Sequence, residues 1–150
     1  MRAPRSLSTS VALIAALALV LIAATTTMAG GRPLSAAMTG VEEVPIGDLD
    51  GTGSASFTLN QGQGTICFSW TAQDISLPVT ASHIHVAPAG TAGPVVVPLT
   101  ADDDDGVASG CVSGVSKDLV KAIRQNPSGY YVNVHNAEFP GGAVRGQLEK

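Results

Sequence analysis

The chain of 150 residues contains three histidines, and their spacing is the first feature that could do chemistry. Two stand at i and i+2 in His83-Ile84-His85. The third closes the run Tyr130-Tyr-Val-Asn-Val-His135. Side chains two apart in a strand share a face, which puts His83 and His85 together, roughly 6–7 Å apart. By the same rule His135 shares a face with Asn133 and Tyr131, while Tyr130, Val132 and Val134 make an apolar face. If the two strands are neighbours, about 4.8 Å apart, His83, His85 and His135 can close on one ion. Neutral imidazole suits zinc, copper or nickel, and three such ligands leave a position open for water or substrate. The plainer reading is that the histidines hydrogen-bond to one another, to Asn133, or to backbone on a polar sheet face. Both readings stand at this point.

Other polar residues add less. Arg145 is expected on the face of Asn133 and His135, with Glu138 in the connecting loop. One reading is a binding site for an anion or carboxylate beside the histidines, using the guanidinium fork. The other is a loop-anchoring partner for Glu138 or Glu43. Asp102–Asp105 and the Asp48/Asp50 loop lack the spaced ligands of a calcium site and read as solvated turns. A Gly-x-Ser-x-Gly elbow, a phosphate loop and a dinucleotide fingerprint are all absent from the sequence. These residues point to binding rather than turnover.

Short strands must position these groups. Alternation or β-rich composition predicts them over 34–44, 53–60, 65–72, 78–86, 94–99, 108–115, 130–135 and 143–148. In 53–60, Ala55, Phe57 and Leu59 share a face; in 65–72, Ile66, Phe68 and Trp70 do. Ile84 and Val86 are expected in the core. Proline near both ends of 94–99 suggests an edge strand. Phe139-Pro-Gly-Gly142 supplies a reversal between the last two strands. One short helix is predicted near 117–125, with Ser116 as N-cap and a stripe of Leu119, Val120 and Ile123. About eight close-spaced strands argue for an all-β, antiparallel sandwich or small barrel.

The first residues read as an export signal, 1–29. Arg2 and Arg5 precede an unbroken apolar run over residues 11–24, short of the roughly 20 residues of a membrane span. Thr27-Met28-Ala29 places cleavage before Gly30, with a cut after Ala37 or an uncleaved anchor as alternatives. The mature domain is then 30–150, with no membrane span. Removing Arg2 and Arg5 from 8 basic residues leaves 6 against 12 acids, a net charge of −6. Scattered cations and few aromatics exclude a nucleic-acid surface. In an exported chain Cys67 and Cys111 are read first as a disulfide, worth on the order of 4 kcal/mol by loop closure. Two buried free thiols are the alternative.

Several pieces in order resemble one family. They are Thr39-Gly-Val-Glu-Glu-Val-Pro45, Gly53-Ser-Ala-Ser-Phe-Thr-Leu59, His83-Ile-His85 with Gly93-Pro-Val-Val-Val97, and Tyr131-Val-Asn-Val-His135 with Pro140-Gly-Gly-Ala-Val-Arg-Gly-Gln-Leu148. Together, from about residue 34 to 148, the chain resembles the chordin domain (CHRD), found in chordin and in small exported microbial proteins. The resemblance implies a Greek-key-like β-sandwich of the copper–zinc superoxide dismutase kind. It also implies a secreted or cell-envelope location. Chordin's cysteine-rich modules are absent, so growth-factor antagonism is not carried over. Dismutase chemistry needs more histidines than three. The fold analogy puts copper first and zinc second as candidate cofactors. Three functions follow: an extracellular module binding an unknown protein or small ligand through the histidine face, a mononuclear metal protein with a redox or metal-handling role, or a structural module.

Overall fold

Strand alternation in this chain buries one apolar comb after another, and the combs face a shared interior. A computed structural model describes residues 33–99 and 105–150. The elements run β1 (Leu34–Thr39), β2 (Thr52–Asn60), β3 (Thr65–Gln73), β4 (Val79–Val86), β5 (Val95–Leu99), β6 (Val107–Val112), α1 (Lys117–Gln125), β7 (Tyr130–Asn136) and β8 (Val144–Gln147). Their spatial order is β5-β4-β7-β8-β1-β2-β3-β6, with every pairing antiparallel. The edges β5 and β6 approach one another, so the sheet curls into a nearly closed, sandwich-like barrel. The all-β class and, among the described residues, one short α-helix are as the sequence predicts.

The interior follows from register. Phe57 pairs with Phe68, and Ala55 with Trp70, which stacks the two predicted combs on the same side. Phe57, Ile66, Trp70, Ile84, Val132, Val134 and Leu148 are all at most 1 % exposed. Each such side chain contributes about 1.5–3 kcal/mol by leaving water. Val120 and Ile123 of α1 are buried against this core. The buried Trp70 Nε1–H donates to Ser82 Oγ at 3.1 Å, joining β3 to β4. Cys67 and Cys111 lie opposite each other on β3 and β6 and form a disulfide.

Several local expectations are corrected. The first strand ends at Thr39, not at residue 44, because Gly40–Glu42 tightens into a 3-10 turn against Asp48. A Cβ at Gly40 would overlap the Asp48 carbonyl, so only glycine admits that approach. Val86 is 37 % exposed, not core; Ser82 joins Ile84 on the inner face instead. The register irregularity between Ile84 and His85 lies just before it. The strand predicted over 108–115 is Val107–Val112. Ser116 stands at the helix N-cap, but its hydroxyl makes no capping bond. The expected signal segment and most of the acidic turn at 102–105 lie outside the described residues.

Candidate metal centre

Pairing between distant strands assembles the polar face. Across one row, His83 of β4 faces Asn133 of β7, Asn133 faces Arg145 of β8, and Arg145 faces Thr39 of β1. In flanking rows His85 faces Tyr131, Tyr131 faces Gln147, and Ala81 faces His135. Since directly opposed residues share a face, the three histidines, Asn133 and Arg145 all project from the outer side of the barrel wall.

That outer side is covered, not open to water. The loop between β4 and β5 folds back over it. Arg145 is 1 % exposed and donates to the carbonyls of Thr91 (2.9 Å) and Pro88 (3.0 Å). Gln147 Nε2 donates to Ala87 O at 2.7 Å and to Ser128 O at 2.8 Å. Gly93 N–H donates to the Tyr131 hydroxyl at 3.2 Å. The expected polar surface is therefore a second, polar core, and β7 is buried along its whole length.

Within it, ring nitrogens converge. One ligand atom from each of His83, His85 and His135 lies within 4.8 Å of the others. Donors around a tetrahedral ion with bonds near 2.05 Å would be roughly 3.4 Å apart, so the ligand atoms draw closer on binding. Two backbone carbonyls decide the tautomers. His85 Nδ1 lies 2.8 Å from Gly93 O, and His135 Nδ1 lies 3.0 Å from Pro140 O. A carbonyl only accepts, so both Nδ1 atoms carry the hydrogen, and in the neutral rings both Nε2 atoms present lone pairs. Asn133 Oδ1, also an acceptor, sits 3.0 Å from His85 Nε2 and 2.9 Å from His135 Nε2. His83 Nδ1, 3.0 Å from His135 Nε2, can supply one hydrogen. Between His85 Nε2 and Asn133 Oδ1 neutral rings leave none.

Burial keeps His83 and His135 neutral. Burial, then the charges His135 and His85 would carry, lower the pKa of His83 to about 4. Burial also lowers that of His135, partly offset by its bond to Pro140 O. His85 stacks on Tyr131 with ring centroids 4.6 Å apart.

The remaining sequence candidates fall in different places. Asn133 is at the cluster. Arg145 lies on the expected face, but its guanidinium is engaged by loop carbonyls and is sealed from solvent. Glu138 is exposed and accepts from Ser76 Oγ at 2.6 Å, apart from Arg145. Arg145 and Glu138 are thus engaged with different partners. Sequence reasoning gave Glu43 only as a loop-anchoring partner for Arg145; it is 4 % exposed, with Oε2 accepting from Val44 N–H at 3.3 Å. Burial pushes its pKa up, against the Asn133 amide, the Val44 N–H and Arg145. Its signal was the conjunction of an acid with the glycine turn at residue 40. A cleft of about 440 Å³ lined by Lys121, Arg124 and Lys150 shares no residue with the cluster.

The family model for the CHRD domain matches residues 34–148, from the first residue of β1 to the one following β8. The chain belongs to the CHRD-domain family. Neither the curated proteins nor the solved structures yielded a match. The covered polar face therefore lies wholly inside the CHRD domain. Among the described residues, no helix is long and apolar enough to cross a membrane.

Proposed function

We propose that this CHRD domain is an exported binding module whose ligand is a single transition-metal ion held by His83, His85 and His135. One observation carries the reading: two histidine lone pairs and the Asn133 carbonyl oxygen meet at 2.9–3.0 Å with too few hydrogens between them. A cation resolves that crowding. A proton is disfavoured by the burial that lowers the pKa of His83 and His135, whereas a metal ion binds the deprotonated rings. The carbonyls of Gly93 and Pro140 act as the outer partners that fix ligand tautomers in metal sites. An all-imidazole and amide set, with both cysteines in the disulfide, suits copper(II) first and zinc second. Bound there, such an ion would supply Lewis acidity or, for copper, electron transfer.

Export is part of the same reading. Its supports are the charged start and apolar run of residues 1–29, and a disulfide of a kind rare in reducing compartments. A cut after Ala37 would remove Leu34 and Ala36 from the core, which favours cleavage before Gly30.

Titration of the purified protein with Cu²⁺ and Zn²⁺ tests the proposal. Uptake of one ion, lost in both His83→Ala and His135→Ala, is the expected result. No uptake by the wild type removes the reading.

A further inference from the structure

We propose that Glu43 is a positioning residue that keeps the histidine cluster ready for metal, by holding the Asn133 amide with Oδ1 turned toward His85 and His135. The inference rests on the metal reading above and assigns Asn133 Oδ1 as a fourth donor beside the three imidazoles.

An amide in this place has two orientations. With Oδ1 toward the rings, three acceptors crowd together, which costs energy without a cation. With Nδ2 toward the rings, the amide hydrogens would satisfy the lone pairs of His85 and His135, and the cluster would close on itself. Local hydrogen bonding at the rings alone favours the second. Glu43 opposes it. The carboxylate and the amide nitrogen of Asn133 lie together at Gly142: a Cβ on that residue would overlap Glu43 Oε1 and stand 3.0 Å from Asn133 Nδ2. Gly142 has φ +137°, so neither its conformation nor the space admits a side chain. Turning the amide over would lose the Asn133 hydrogen bond to Glu43 and set the amide oxygen against a buried carboxylate. The acid thus places the amide's positive side toward itself and its negative side toward the ion.

The placement of Glu43 is built in. Its N–H donates to Gly40 O at 3.2 Å, and Gly47 N–H donates to the same carbonyl at 2.9 Å. Asp48 N–H donates to Ala143 O at 2.9 Å, tying this turn to the start of β8. The carboxyl enters the polar core from the turn that follows β1.

Glu43→Gln separates this role from a merely structural one. A glutamine can donate to a reversed Asn133, so the cluster satisfies itself. Zinc affinity is expected to fall about 10–100-fold, the usual effect of removing an outer-shell partner. The metal-free protein is expected to melt no lower than wild type, and the Asn133 side-chain NH₂ resonances to shift. In an Asn133→Ala background the same Glu43→Gln change should alter zinc affinity by less than about twofold, because Glu43 acts only through that amide. Unchanged affinity in Glu43→Gln overturns the inference alone, and so does a loss of affinity matched by a loss of metal-free stability. A wild type that takes up neither Cu²⁺ nor Zn²⁺ overturns the metal reading and this inference with it; where only Cu²⁺ binds, the same comparisons are made with Cu²⁺.

Discussion

The guanidinium carbon of Arg145 stands 3.4 Å from the centre of the Tyr131 ring. The same ring stacks on His85, so a buried cation and a candidate ligand share one aromatic support. Arg145 also holds the loop whose Gly93 carbonyl fixes His85. Arg145→Met should therefore cost about 3 kcal/mol or more, since two carbonyls lose charged donors in a covered site. Urea unfolding measures this. Zinc affinity should fall in the same variant, and an unaffected affinity would show that the loop holds His85 without Arg145.

Acid should destabilise the protein in a defined window. The imidazoles of His83 and His135 titrate near 6.5 when unfolded but lower when folded, His83 at about 4. Between those values the unfolded chain binds protons that the folded chain refuses. The stability is complete above pH 6.5 and drains away as the pH falls toward 4. Glu43 acts with opposite sign: its raised pKa contributes stability below 4.5 that is lost as pH rises through the folded value. Urea midpoints of metal-free protein should drop from pH 7 to pH 5, and drop less in His83→Gln. A midpoint that holds steady across this range would contradict the neutral-cluster assignment.

Ser82→Ala tests the barrel's interior. The buried Trp70 indole N–H would lose its acceptor, costing about 1–3 kcal/mol. Indole fluorescence during denaturation reads both the midpoint and the change in environment. A cost below about 0.5 kcal/mol would mean that the indole finds another acceptor.

Reduction of Cys67–Cys111 should lower stability by about 4 kcal/mol while leaving metal uptake intact in the fraction that stays folded. The bond staples β6 to β3, whereas the histidines stand on β4 and β7. Uptake that disappears while the protein remains folded would tie the two ends of the sheet together.

The strands and their faces were legible because alternation is local. Ile66, Phe68 and Trp70 needed only a period of two to be placed inward, and α1 needed only its apolar stripe. The meeting of His83 with His135 was legible as a possibility alone, because the pairing of β4 with β7 joins residues some fifty positions apart. Three things left no local trace. The loop over Arg145 reads as glycine-rich punctuation, and nothing in Ala87–Gly93 announces that its carbonyls face inward. The tautomers of His85 and His135 depend on carbonyls contributed by that loop and by Pro140. Glu43 looked like the end of a strand, and only the turn at Gly40 swings it into the polar layer.

β7 carries oil on one side and charge-compatible chemistry on the other, with no side left to water. Sliding it by a single position would push Asn133 and His135 into the barrel and turn Val132 and Val134 out against Arg145. Few alternative alignments of this strand could survive such an exchange. The residues that gather at the histidines thereby also proofread how the chain closes its wall.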